Sequence, residues 1–564
     1  MDTAGSVGGT WAEERLYPGL KTNNIVGSYE FSDFPLEPKV YGLQPGQHIP
    51  GTVVYHYLRD FAVHFNISPL IRFHTTVKRA RLLQDGTWLV TYNSTETLSV
   101  AQEKDLIARK IAIATGLTSE PHVPVFPGQS KFEGSIFHPR ALQVRAKDLA
   151  SSRNVVVVGG NKSAWDVCYS AARSGAKVTM LIRPLGGGPS WVWRPYLGLG
   201  LGRFSISRLS STRLCSWFDP SPFGHSYQGA RDFLHFTWVG QMLSWLFWSV
   251  LDYLACVSLG YNDECLAVLR PWSSTFWMGN SLSIHNYETD WFDYIRNGVI
   301  TVEHAEIVSM DERWTYLSTG KAIEADTVVT CTGWRDATTI TFEPPEVAAE
   351  LGLPASVGSG FQRKQNDSHL VAEARKQVIS RSPELSPRPL RNMTPSWRYT
   401  QTDSKLEPNQ NKSGARDDDY FRLYRSIVPA SERILQYRNL AFVGMHHSIH
   451  TVMVAQAQAL WATAFFQDRI PDLGSHGGMD QVKYQAYLLT EYERMRRPKE
   501  GAGADGKYLD LVFDTIPYID SLLEDIGVQT RRKSSWWRDI SEPYTLRNYE
   551  GIVKEWLVSG SGST

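Results

Sequence analysis

Cysteine is scarce in this chain: 564 residues hold five, and no two stand as a CxxC pair. That excludes a disulfide scaffold and a structural zinc site built on paired thiolates. Net charge is absent too, with 58 basic residues against 58 acidic ones. No positive surplus exists to hold nucleic acid, so none is expected as a partner. No repeat of solenoid period is visible. The first residues are polar and glycine-rich rather than a secretory leader, which points to the cytoplasm. The length predicts two or three domains.

One hydrophobic run stands out. Phe233 to Leu259 is long enough to cross a bilayer. It also carries His235, Gln241, Ser244 and Asp252, and a mid-segment aspartate is costly in lipid. Three readings stay open: a buried or interface helix pair beside a large apolar ligand, contact with a membrane surface, and a true span. The run lies in a tryptophan-rich block at about residues 185–290, whose Trp245 and Trp248 either line an apolar pocket or pack a core.

Asn154-Val155-Val156-Val157-Val158 is a continuous apolar strand, suited to a parallel sheet covered on both faces. It runs into Gly159-Gly160-Asn161-Lys162-Ser163-Ala164, then a helix through Arg173, then a second strand, Lys177 to Arg183. A strand, tight glycine turn and helix in this order aim unpaired backbone N–H groups at an anion, as a dinucleotide site requires. Gly159 makes the turn, Gly160 adds clearance and Ala164 is small enough for helix–sheet packing. Asn161 stands where the fingerprint has its second glycine, and asparagine tolerates left-handed backbone. Arg183 ends the second strand where an acid would bind an NAD ribose, so it suits a 2′-phosphate and favours NADPH. Lys162 and Arg173 are weaker alternatives for that phosphate.

Elsewhere the pattern predicts a helix over 53–65 with Val54, Leu58, Phe61 and Phe65 on one side, and strands near 71–73, 88–90, 110–116 (running into Gly116), 299–307, 326–330 and 439–443. Helices are expected at 456–466 and 483–495. Residues 361–417, rich in Ser, Pro, Asn, Gln and Arg, read mostly as a mobile surface insertion. His446 and His450 have the spacing of a helical metal pair, yet no carboxylate or cysteine of fitting spacing accompanies them, so no metal is expected.

Six stretches together resemble the flavin-containing monooxygenases, in their fungal branch. They are Val7-Gly8-Gly9-Thr10-Trp11; Tyr17 to Asn23 with Phe31 to Pro35; Phe132, Gly134 and His138; Val155 to Asp166; Val328 to Trp334; and Asn439 to Met445 with Gln458-Ala459-Leu460-Trp461. The resemblance covers roughly residues 1–465. It implies an α/β fold of two Rossmann-like domains. The FAD-type domain is discontinuous and the NADPH-type domain is inserted in it, followed by an extra helical C-terminal region. The boundaries expected are 1–150 and 336–470 for the FAD-type part, 151–335 for the NADPH-type part and 471–564 for the extension. The strand–GxGxxG–helix that holds the FAD pyrophosphate in this family is expected to be missing.

By the same resemblance FAD and NADP(H) are the cofactors. Asp2, Gly9 and Trp11 would lie along the FAD ribose, adenosine and pyrophosphate. Asn23 would stand near the flavin edge where oxygen reacts, with Gly444 and Met445 approaching the ring system from the C-terminal strand. Gly159, Asn161, Ser163, Ala164 and Arg183 would hold NADPH. Gly116 and Gly333 would be crossovers between domains. His446 would sit beside flavin or substrate and handle a proton near neutral pH. The implied reaction is oxygenation of a small apolar molecule, a secondary-metabolite intermediate, with molecular oxygen. The alternative is a diverged relative without oxygenase activity, acting as a cyclase, an isomerase or a partner protein. His138 is followed by Pro139-Arg140-Ala141-Leu142 without the usual aromatic, which weighs against Baeyer–Villiger chemistry.

Overall fold

The computed structural model describes residues 1–95, 102–198, 203–279, 282–335, 339–354, 367–386, 420–470, 473 and 478–559. Near the start of the chain the backbone of Asp2 pairs with the 72–75 segment: its N–H donates to the Arg72 carbonyl at 2.9 Å, and its own carbonyl accepts from Thr75 at 2.8 Å. Strand β1 (Lys21–Ile25) pairs antiparallel with His48–Pro50. Helix α1 (Gly51–His64) follows; Val54, Tyr57 and Ala62 face the core, whereas Phe65 just past its end is exposed. A hairpin turn at Gln84-Asp85-Gly86 joins Thr75–Leu82 to Trp88–Ser94. Strand β2 (Ile111–Ile113) comes next.

The best-built layer is a five-stranded, wholly parallel sheet. It contains β3 (Ser135–Phe137), β4 (Asn154–Val158), β5 (Lys177–Leu181), β6 (Ile300–Glu303) and β7 (Thr327–Thr330), in the order β6-β5-β4-β7-β3. Helix α2 (Lys162–Arg173) connects β4 to β5 and buries Ala164, Trp165, Val167 and Cys168. Val155, Val156 and Val157 are buried, as the uninterrupted valine run requires of a strand covered on both faces. The sheet takes β3 from before residue 151. Between β5 and β6 the aromatic block forms α3 (Gln228–Phe236) and α4 (Trp238–Leu259).

Most of the expected insertion at 361–417 lies outside the described residues. Its described part is α5 (Ser368–Arg381), a helix and not a structureless segment. Leu370, Val371, Ala374 and Val378 recur at helical spacing and are buried, and α5 packs on α7. Strand β8 (Leu440–Phe442) pairs parallel with β2. Then come β9 (His446–Ser448), α6 (Thr451–Phe466), α7 (Gly478–Arg496), β10 (Leu509–Leu511), α8 (Thr515–Asp525) and α9 (Trp536–Ser541).

The C-terminal region does more than cover the core. Strand β10 pairs parallel with β9, directly beside the candidate site. A buried ionic knot locks the region to the aromatic block: Arg496 meets Asp219 at 2.7 Å, and Arg497 meets Asp219 at 3.2 Å and Asp514 at 3.6 Å. Tyr492 donates to Asp219 at 2.6 Å. Burial works against charge on Asp219, but the two guanidiniums outweigh it and hold the carboxyl well below its usual range.

Candidate functional site

The turn after β4 has the shape its residues predict. Gly159 sits at φ +142°, and a Cβ there would collide with the Cys331 carbonyl oxygen of the neighbouring β7 turn. Only glycine fits that closeness of two strand ends. Asn161 is exposed and caps α2 with extended backbone, φ −90° and ψ 172°. The left-handed tolerance expected of it is therefore not used. Its side-chain oxygen accepts from Ser190 instead, and the Ser190 N–H donates to the Gly160 carbonyl at 3.1 Å. The 184–190 loop is thus folded down onto the turn. Ser163 is exposed at the first turn of α2, and Ala164 is fully buried behind it. Arg183, exposed just past β5, has no carboxylate partner among the described residues.

The two alternative cations are already engaged. Lys162 pairs with Asp166 and reaches the Asn286 oxygen at 3.0 Å. Arg173 pairs with Glu288 at 2.6 Å, at the far end of α2. Of these three cations, Arg183 alone has no carboxylate partner among the described residues. Asn286, which carried no signal in the sequence, in turn donates to the carbonyls of Lys21 and Thr22, each at 3.2 Å. Lys162 and Asn286 therefore tie the first turn of α2 to β1, the strand that carries Asn23.

On the β1 side, Asn23 is half-buried and Asn24 fully buried. Asn24 donates to the Ile449 carbonyl at 2.8 Å, stapling β1 to the segment before α6. Gly444 has φ +80° with open space where a Cβ would stand, and its N–H donates to Gln458 at 2.9 Å. Met445 is buried against Ile113 and Phe442.

His446 needs a correction in its role. It is buried in β9, and burial drives its pKa down to about 4, with the neighbouring His447 adding to the shift. At pH 7 that shift favours the neutral ring over the charged one. His450 lies at the start of α6 rather than on the same helix face as His446, with its Nε2 3.3 Å from the Ser210 hydroxyl. Burial brings it to about 4 as well.

Three of the sequence stretches converge on one another. The Thr10 and Thr118 hydroxyls lie 3.2 Å apart, and Arg15 donates to the Thr118 carbonyl at 2.6 Å. Arg15 also stands over the Trp334 ring at 5.5 Å. His138 Nε2 donates to the Gly333 carbonyl at 3.0 Å while Nδ1 accepts from Arg140 at 3.1 Å, which fixes the tautomer. Gly134 is required because a Cβ would strike the Asp326 carbonyl. Gly9, Gly116 and Gly333 all have positive φ and open space at the Cβ position. Trp11 donates its indole N–H to Tyr29 at 2.9 Å and packs on the α1 cluster; Asp2 accepts from the Ala4 N–H at 2.9 Å.

Residues 9–201 match the family model described as flavin-binding monooxygenase-like. The chain is 31% identical to the FAD-dependent monooxygenase rstn6 of Aspergillus nomiae, over 99% of this chain and 93% of that protein. It is 33% identical to an FAD-dependent monooxygenase of Pyrenophora dematioidea, over 95% of this chain and 94% of that protein. The chain belongs to the flavin-dependent monooxygenase family. Its fold is that of the polycyclic ketone monooxygenase of Thermothelomyces thermophila, with TM-score 0.54 at 15% identity over 100% of this chain and 83% of that one. A cyclohexanone monooxygenase gives the same TM-score and identity over 99% and 92%. Within this monooxygenase fold, the parallel sheet and its glycine turn form one dinucleotide-binding unit, and β2 with β8 belongs to the other.

A cavity of about 560 Å³ lies under α4, lined by Trp245, Trp248, Phe276, Trp277, Ser244 and Asp252 among others. Burial raises the Asp252 carboxyl above its ordinary range, opposed by the Thr275 N–H it accepts. The tryptophans that sequence reasoning left between pocket and core serve both: Trp248 is buried and Trp245 stands at the surface.

Proposed function

We propose that this chain is an FAD- and NADPH-dependent monooxygenase acting on a small, largely apolar molecule, with molecular oxygen as co-substrate and secondary metabolism as its setting. The observation that carries the NADPH assignment is the Gly159 turn beside Arg183, which has no carboxylate partner among the described residues. The residues fit the group: the first N–H groups of α2 and the guanidinium offer the diphosphate and 2′-phosphate a cradle, and Asn161 and Ser163 border it. Arg183 would select the phosphorylated nucleotide by pairing its guanidinium with the 2′-phosphate, and among the described residues it has no carboxylate partner to leave.

For FAD, the fitting residues are the open glycines Gly9 and Gly444, with Asn23 on β1 and Met445 behind. Asp2 and Trp11 support it through backbone and packing, since their polar side-chain atoms are engaged locally. The described residues supply no second glycine turn and helix end for its diphosphate. When bound, FAD supplies the two-electron chemistry that links NADPH to oxygen. The chain's own part is positional. Asn24 and Asn286 hold β1 against both the 444–450 segment and α2. His446, neutral and buried, contributes an uncharged wall that excludes water. The aromatic cavity under α4 supports an apolar substrate. The domain division 1–150, 151–335, 336–470 and 471–564 belongs to this reading, with β3 contributed to the inserted sheet from the first segment.

The test is direct. The purified chain, incubated with FAD and freed of excess, is expected to keep a flavin absorbance spectrum and to consume NADPH in an oxygen-dependent manner. A folded protein that stays colourless with added FAD and leaves NADPH untouched overturns the proposal.

A further inference from the structure

The cavity under α4 has aromatic walls and acidic charge. Its volume of about 560 Å³ suits a drug-sized molecule. Five rings line it, those of Phe218, Trp245, Trp248, Phe276 and Trp277. Two carboxyl groups line it as well, from Asp252 and Glu384, and among the described residues no lysine, arginine or histidine does. A wholly uncharged ligand would have use for neither acid.

Asp252 is half-buried and accepts the Thr275 N–H at 2.9 Å. Burial holds its carboxyl above the ordinary range; the Thr275 N–H and the charge of Arg270 pull the other way without reversing the shift. A cation brought beside this group would stabilise its charged form. Glu384 is exposed, so it stands at the mouth of the cavity. Ser244 supplies a further polar atom. It is buried, it lines the cavity, and its hydroxyl has no hydrogen-bond partner among the described residues. A buried hydroxyl left in that state is costly unless a ligand group meets it.

Two of the same rings already hold a cation from outside the cavity. The Arg496 guanidinium stands 4.1 Å from the centre of the Phe276 ring and 5.2 Å from that of Trp248. Its charge is met by Asp219 at 2.7 Å. Trp245 and Trp277 have no cation over them among the described residues, and Trp245 is 69% exposed.

We propose that this cavity binds an organic cation: an apolar molecule with one ammonium or quaternary nitrogen, held between the tryptophan faces and Asp252. The negative face of an aromatic ring attracts such a nitrogen, and the carboxylate completes its surroundings. A protonated or quaternary nitrogen has no lone pair to receive an oxygen atom. The charge is therefore the handle by which the molecule is held and not the group oxidised. The proposal rests on the reading of this cavity as the substrate's, and not on the cofactor assignment. No residue of the Gly159 turn, of β1 or of the 444–450 segment is among those that line it.

The experiment is calorimetric titration of the full-length protein, without added cofactor, with three probes of similar size. They are phenylpropyltrimethylammonium, its uncharged isostere with carbon in place of nitrogen, and phenylbutyrate. The ammonium ion is expected to bind about tenfold or more tighter than the isostere, and phenylbutyrate weakest of all. Asp252→Asn keeps an acceptor for the Thr275 N–H. It should retain a cooperative melt and lower the ammonium affinity about tenfold while leaving the isostere unchanged. Trp245→Ala, at an exposed position, should weaken the ammonium ion more than the isostere. Equal affinity of the wild type for the ammonium ion and the isostere, or an Asp252→Asn variant that weakens both alike, overturns the proposal and leaves the apolar-substrate reading standing. Binding of none of the three probes overturns both.

Discussion

The two dinucleotide units of this fold are built to different degrees. In the unit around β4, strand, turn, helix and strand are consecutive in the chain, the sheet has five strands, and both faces are covered. In the unit around β2, two strands pair, β2 with β8, and among the described residues nothing pairs with the far edge of β2. Ala112, Ala114 and Thr115 are exposed there, although Leu440, Ala441 and Phe442 of the partner strand are buried. The first unit builds its turn and helix from consecutive residues, although β7 reaches β4 and β3 from far along the chain. Around the second, Asn24 bonds to Ile449 from the far end of the chain, and β10 pairs with β9. The difference is one of build: the first unit is a five-stranded parallel sheet with its glycine turn, and the second shows two paired strands, with β9 and β10 paired after β8.

The strongest way to break this contrast is Arg496→Met. It leaves Asp219 with one guanidinium partner fewer in a fully buried site, and about 3–5 kcal/mol of stability should be lost, read by denaturant unfolding. The nucleotide turn lies outside the knot, so NADPH binding by the molecules that remain folded should be retained. Gly159→Val acts on the other unit. Its side chain meets the Cys331 carbonyl at a backbone angle that L-residues rarely adopt, so NADPH affinity should fall by about 100-fold or more in titration, roughly 2.7 kcal/mol.

Arg183→Gln should weaken NADPH about tenfold and leave NADH unchanged. The smallest effect concerns pH. The His450 pKa is about 4 in the folded state and near 6.5 in an unfolded chain, so below pH 6.5 the unfolded state takes up the proton first. That contribution to stability is complete above pH 6.5 and is lost as pH falls toward 4. His450→Gln should therefore make the loss of stability between pH 6.5 and 4.5 shallower, by up to about 1.4 kcal/mol per pH unit in urea titrations.

The β4 unit was legible in the sequence because every level agreed: the valine run, Gly159, the apolar positions of α2 and Arg183 all point to one structure. The two strands of the β2 unit were legible as apolar runs, but their pairing was not, since three-residue strands hundreds of residues apart carry no signal of one another. Helix α5 was missed because polar composition masked Leu370, Val371, Ala374 and Val378, which do recur at helical spacing. Asn286 and the Asp219 knot were unreadable for another reason: their partners lie hundreds of residues away, and a lone Asn or Asp in a sequence gives no hint of them. The burial of His446, which lowers its pKa, is set by packing that only the fold reveals.

The central claim is that the Gly159 turn with Arg183 binds NADPH. The most direct test is calorimetric titration of NADPH and NADH into the wild-type chain and Arg183→Gln. The account predicts that the wild type prefers NADPH by about tenfold and that the variant loses this preference through weaker NADPH binding alone. Equal affinities for both nucleotides in the wild type, or a variant that binds NADPH as tightly as the wild type does, would contradict it.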